Sequence, residues 1–180
     1  MPVPDFSPGE VLTAAAMDSI GLWLVKTQTI GTGVSSVTVT GAFSADYDNY
    51  RIIVSGGVSS VSAGALNLTL GSTATGYYRA GAFMLYSGGA ITGFSNSNAT
   101  SFNGIFEAST NMINGVVDLL NPFAAKNTVL SSHTSAVRTD GYSLFQGGYL
   151  ANTTSYTAFT ITASAGTMTG GTIRVYGYRN

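Results

Sequence analysis

Ala65-Leu66-Asn67-Leu68-Thr69-Leu70 alternates apolar and polar residues without a break. Side chains of a strand point to opposite faces in turn. The pattern therefore puts Leu66, Leu68 and Leu70 on one buried face. The same two-residue period recurs along the chain. Trp23, Val25 and Thr27 oppose Leu22, Leu24 and Lys26, and Val37 and Val39 interleave with Ser and Thr. Phe159 and Ile161 interleave with Ala158, Thr160 and Thr162, and residues 173–178 alternate down to Arg179-Asn180. Further strands are expected within 77–86, 101–108, 112–120, 128–132 and 142–150. The expectation is an all-β chain of roughly ten strands, at spacings typical of a sandwich.

Turns are marked by glycine and Asx residues. Asp140-Gly141 is a turn dipeptide just before a strand. The Gly-Gly pairs at 56, 88, 147 and 170 share no interval, so they read as turns or bulges. Gly81 inside an aromatic-rich run reads as a bulge. Residues 88–100 have no periodicity and read as a surface loop.

One polar corner feeds directly into a strand. In Ser44-Ala45-Asp46-Tyr47-Asp48-Asn49-Tyr50-Arg51, Asp46, Asp48 and Asn49 are suited to folding back on the local backbone. Tyr47 and Tyr50 are expected to pin the corner onto the sheet, each burying a ring and keeping its hydroxyl on a polar partner.

The N-terminus reads differently. Pro2, Pro4 and Pro8 favour an extended arm over residues 1–11. Residues 12–20 read as a short helix, with Thr13 able to cap it and Gly21 able to end it. Two turns are too few to be stable alone. Leu12, Ala16, Met17 and Ile20 would face a neighbour. That neighbour is either another subunit, making residues 1–21 an attachment segment, or the chain's own domain over residues 22–180. No secretory signal and no apolar run of membrane-spanning length is expected.

Charge narrows the function. Charged residues make up 8% of the 180 residues, against roughly 25% in an ordinary soluble domain. Seven Lys and Arg form no stripe and the net charge is −1, which argues against a nucleic-acid groove. There is no cysteine, so thiolate metal sites, disulfides and cysteine nucleophiles are excluded. A neutral Ser/Thr/Asn/Gly surface gives little electrostatic protection against self-association.

Catalytic motifs are sparse. His133 is the only histidine, no Gly-x-Ser-x-Gly elbow occurs, and one histidine cannot build a multi-histidine zinc site. The carboxylates open to paired acid chemistry are Asp46, Asp48, Glu107, Asp118 and Asp140. Asp118, inside the apolar run 116–120, either pairs with Arg51, Arg79 or Arg138 or points to solvent. Asp46-x-Asp48 lacks the rest of an EF-hand loop. The ten tyrosines suit sugar stacking, strand packing and subunit contact alike.

Three stretches carry a family resemblance. Phe6-Ser7-Pro8-Gly9-Glu10-Val11-Leu12-Thr13-Ala14-Ala15-Ala16-Met17-Asp18 resembles the F-x-x-G-x-x-L-T-A-A-x-(V/M)-N opening of tailed-bacteriophage tail and fibre proteins, with Asp18 where Asn is common. Residues 43–54 resemble the F-S-x-x-Y-x-N-Y-R-I corner of phage minor tail and fibre-like β domains. Residues 169–180 resemble their C-termini. The resemblance implies a jelly-roll-like β-sandwich, commonly a homotrimer, attached through an N-terminal segment in which Phe6, Val11, Leu12, Met17 and Ile20 would make the contacts. It implies a non-enzymatic virion component without cofactor, assembled in the host bacterial cytoplasm. Its partners would be other phage virion proteins, itself and a host surface glycan, with no nucleic acid and no membrane insertion. The alternatives are a capsid decoration or head-fibre protein, and a carbohydrate-binding or carbohydrate-active module.

Overall fold

The computed structural model describes residues 21–178, which are all-β and contain no helix. The strands, numbered in chain order, pair antiparallel throughout and form two runs. The long run has the spatial order β1 (Leu22–Thr29), β14 (Thr172–Tyr178), β3 (Asn49–Ser55), β9 (Ile113–Leu120), β10 (Thr128–Ser135), β11 (Tyr142–Leu150), β6 (Tyr77–Leu85) and β7 (Ile91–Ala99). The short run is β2 (Ser36–Val39), β12 (Phe159–Ala163), β5 (Gly64–Leu70) and β8 (Phe102–Ala108). Two residue pairs, Glu107 with Asn114 and Ala108 with Ile113, join β8 to β9 and make one 12-stranded sheet. Separately, β4 (Val58–Ser59) pairs with β13 (Met168–Thr169).

The alternating residues of both runs meet in one buried cluster. Tyr50, Ile52, Val54, Val117, Leu119, Ile173 and Val175 come from the long run. Leu66, Leu68, Leu70, Phe102, Phe106, Phe159 and Ile161 come from the short run. Leu66, Leu68 and Leu70 are fully buried, as their period requires. Each such side chain contributes about 1.5–3 kcal/mol relative to exposure.

The corner before β3 is held from both sides. The Tyr50 ring is buried edge-on to Phe43, with centroids 4.9 Å apart, and Phe43 lies 5.7 Å from Phe159. The Tyr50 hydroxyl donates to Ser44 O at 3.0 Å and accepts from Ser44 N at 2.8 Å. Tyr47 stands edge-on to Tyr50 and lies on Gly177 of β14, where any Cβ would run into its ring. The aspartates act differently from simple Asx turns. Asp46 Oδ2 accepts the Ser44 hydroxyl at 2.9 Å, and Asp48 holds Asn121 N through its backbone carbonyl at 2.9 Å.

Several expectations are corrected. Residues 91–99 form β7 rather than a loop. Most of this strand is exposed on both faces, so no buried period marks it. Gly81 is not a bulge. It keeps regular register with Gln146 and Phe94, and a Cβ there would meet Phe145 O, Gln146 Cβ and Phe94 Cζ. Gly147-Gly148 lies within β11 and is no turn. Gly56-Gly57 and Gly170-Gly171 are turn residues with φ of 72°, 73°, 70° and 89°, packed backbone against backbone. The helix and the attachment residues Phe6, Val11, Leu12, Met17 and Ile20 lie outside the described residues.

Candidate functional site

The outward face of the long run is assembled from residues that local sequence patterns do not connect. Register places Asp118 (β9), Ser131 (β10), Gly147 (β11), Ala80 (β6) and Ser95 (β7) in one line across the strands. Beyond Asp118, every side chain in this line is small. One pleat period to one side lie Val116, His133, Phe145, Ala82 and Gly93. One period to the other side lie Leu120, Val129, Tyr149 and Tyr78.

The result is a trough with an aromatic pair on each bank. His133 and Phe145 stack across β10 and β11, with centroids 4.3 Å apart and planes 8° from parallel. Tyr78 and Tyr149 stack across β6 and β11 at 5.0 Å and 6°. Both spacings match the distance between neighbouring strands. The banks are four residues apart along a strand, about 13 Å at the rise of antiparallel structure. Two adjoining hollows of about 620 and 590 Å³ share Ala80 and Gly147 as floor. Phe145 is 52% exposed and Tyr149 41%.

A neutralised ion pair closes the β9 end. Arg51 Nε and Nη2 donate to Asp118 Oδ1 and Oδ2, each at 2.8 Å. The Tyr178 hydroxyl donates to Asp118 Oδ1 at 2.6 Å. Burial pushes the Asp118 carboxyl up, and the bonds from Arg51 and Tyr178 push it down by more, so it lies below the ordinary value. The Tyr178 hydroxyl is pushed up to about 12 by burial and by its bond to Asp118. Of the three arginines open to Asp118 on sequence, Arg51 is its partner. Arg79 instead donates to Asn96 at 2.7 Å and Gln146 at 2.8 Å, under the Phe94 ring.

A second ionic group lies where β8 meets the β10–β11 connection. Glu107 is buried, accepts the Tyr142 hydroxyl at 2.9 Å and lies 3.2 Å from Arg138 Nη1. Arg138 Nε in turn lies 2.9 Å from Asp140. These contacts are ionic rather than well-directed hydrogen bonds, because Glu107 Oε1 and Arg138 Nε find no hydrogen-bond partner of good geometry. Burial pushes the Glu107 carboxyl up, and Tyr142 and Arg138 offset only part of that rise.

The sequence candidates are thus dispersed. Asp118 and His133 border the trough, Glu107 and Asp140 share Arg138, and Asp46 and Asp48 stay in the corner. Nε2 of His133 meets Ser143 Oγ at 3.3 Å, and His133 itself lies within β10. Among the described residues, no group of three or more His, Cys, Asp or Glu is placed to hold a metal ion. The floor residues Ala80 and Gly147 were not foreseen. The signal was Phe145-x-Gly147-x-Tyr149, two aromatics astride a glycine on one strand face.

Fold and site together define an antiparallel all-β protein with an open, aromatic-banked surface trough. Comparison with protein-family models, curated proteins and solved structures found no match.

Proposed function

We propose that this chain is a non-enzymatic structural component of a tailed-bacteriophage virion. It is a tail-fibre or minor tail protein, trimeric, carried on its N-terminal segment and facing the host surface. Its fold is a jelly-roll-like β-sandwich, a reading supported by two antiparallel runs that share one core.

The observation that carries the proposal is the edge of β7, which among the described residues pairs on one side only, with β6. Edge strands invite pairing, and proteins blunt them with charge, proline, bulges or shortness. Here β1 carries Lys26 and a bulge after Leu24, and β2 has only four residues. Strand β7 runs nine residues with no charge and no proline, and its one bulge is near its end. Beside it the hairpin tip exposes Leu85, Tyr86 and Ile91, the last 72% exposed. Such an edge in a chain with 8% charge suits burial against another protein. The resemblance of residues 6–18, 43–54 and 169–180 to phage tail and fibre proteins supplies the class.

The test is mass spectrometry and cryo-EM of purified particles from the phage that encodes the chain. The expected result is the chain in the particle at the tail, with occupancy lost when residues 1–21 are deleted. Regular density on the capsid shell would favour a decoration protein. Absence of the chain from particles would end the proposal.

A further inference from the structure

We infer that the outward trough between the His133–Phe145 and Tyr78–Tyr149 pairs is a binding site for a neutral oligosaccharide. This deepens the host-facing part of the proposed function by naming the ligand class and the site. The test below uses the isolated full chain. A failure to bind therefore leaves the virion assignment standing, and absence from particles leaves the binding result standing.

Sugar rings present flat C–H faces that lie against aromatic rings, and hydroxyls that need polar partners. Amphipathic sites of this kind combine aromatic walls with a few placed polar groups. The trough has both. Phe145 is flanked in register by Ala82, whose small methyl leaves it open, and the residue is 52% exposed. Tyr149 is 41% exposed on the opposite bank. Ser131 and Ser95 stand exposed on the floor line, and Asn127 and Ser97 line its far part, where the Asn96 side chain is held by Arg79. Gly147 keeps the floor low, since a Cβ there would meet only Leu130 O at 3.6 Å and would otherwise project into the open trough.

Other occupants fit less well. Nucleic acid needs a row of unpaired cations, and the trough's two described arginines are both engaged: Arg51 by both oxygens of Asp118, and Arg79, in the second hollow, by Asn96, Gln146 and the Phe94 ring. An extended peptide adds to a sheet edge, and this is a sheet face whose strands are paired on both sides through β10, β11 and β6. An anionic glycan would meet the Asp118 carboxylate in the first hollow, and the Arg79 guanidinium in the second is turned to Asn96, Gln146 and the Phe94 ring.

The experiment is isothermal titration calorimetry of the full chain with maltohexaose, cellohexaose, mannohexaose and chitohexaose, with heparin as the anionic comparison. Saturable binding of at least one neutral hexasaccharide is expected. Phe145→Ala and Tyr149→Ala should each weaken it at least tenfold, and Gly147→Leu should abolish it by filling the floor. Light scattering on the same variants should show an unchanged oligomeric state. No saturable binding to any of the four, tighter binding to heparin, or binding indifferent to Gly147→Leu would overturn the inference. So would loss of the oligomer in Gly147→Leu, which would make the trough a contact between copies of this chain.

Discussion

Arg51 and Asp118 face each other across the β3–β9 ladder and meet through two parallel hydrogen bonds of 2.8 Å. Bidentate pairs are the stronger kind, but both side chains are about a third exposed, so the pair is partly screened. The folded Asp118 carboxyl lies below its ordinary value. Its contribution is therefore present above the unfolded value of about 3.9 and is lost as pH falls through the folded value. Asp118→Asn should cost about 1 kcal/mol at pH 7, and the deficit should be smaller at pH 3. Urea midpoints of both proteins at the two pH values check this. An equal deficit at both would mean that the charge is not what stabilises.

Glu107 has the opposite sign. Its folded carboxyl is raised, so its contribution favours the fold in acid and fades as pH rises through the folded value. Arg138→Ala leaves that buried carboxylate without its ionic partner. The cost at pH 7 should be about 3–5 kcal/mol, the range for breaking a buried pair. Because protonation relieves an unpaired buried carboxylate, the deficit should shrink on lowering the pH towards 4.5. Thermal unfolding across that range measures it, and a deficit that grows in acid would contradict the assignment.

Tyr50→Phe removes one hydroxyl that serves both backbone groups of Ser44. The ring stays packed against Phe43, so the loss isolates the polar contacts. About 1–3 kcal/mol of stability should disappear, with proteolysis rising at the corner around residues 44–48. An unchanged unfolding midpoint would show that water replaces the hydroxyl.

Glycines on the two faces of the long run should behave oppositely. Gly177→Ala drives a methyl into the Tyr47 ring and should cost about 1–3 kcal/mol, the range for overpacking. Gly147→Ala points into the open trough and should shift stability by less than about 1 kcal/mol. Denaturant titration of the pair decides it. Equal losses would place Tyr47 elsewhere.

Charge at the hairpin tip should disturb assembly and not folding. Ile91→Lys puts an ammonium beside the β7 edge, at a side chain already 72% exposed. The unfolding midpoint should hold within about 0.5 kcal/mol while self-association falls, as read by light scattering against multiples of the 18.5 kDa chain. Association that persists would put the subunit contact on another surface.

Legibility followed burial. Strands with one wet and one dry face, such as β5 with Leu66, Leu68 and Leu70 and β3 with Tyr50, Ile52 and Val54, announce themselves by period. Strand β7 has no dry face, so its Ser and Asn residues read as a loop. Gly147-Gly148 misled because a glycine pair is read as a turn by default. These two glycines answer instead to the sheet, Gly148 making room for the Tyr78 carbonyl. The trough was hidden for a different reason. Its floor is a line of register across five strands, from Asp118 to Ser95, and register is set by partners distant in sequence. The choice of Arg51 over Arg79 and Arg138 for Asp118 needed the same long-range information.

Strand β14 lies between β1 and β3, and those two early strands do not pair with each other. As the chain leaves the ribosome, residues 22–29 and 49–55 must wait for residues 172–178 before β14 can join them. Loop-closure entropy makes such distant pairings slow. A nascent chain therefore carries β1 unpaired until residues 172–178 have emerged. Growth temperature and crowding during expression should then govern the yield of folded protein as strongly as any single side chain does.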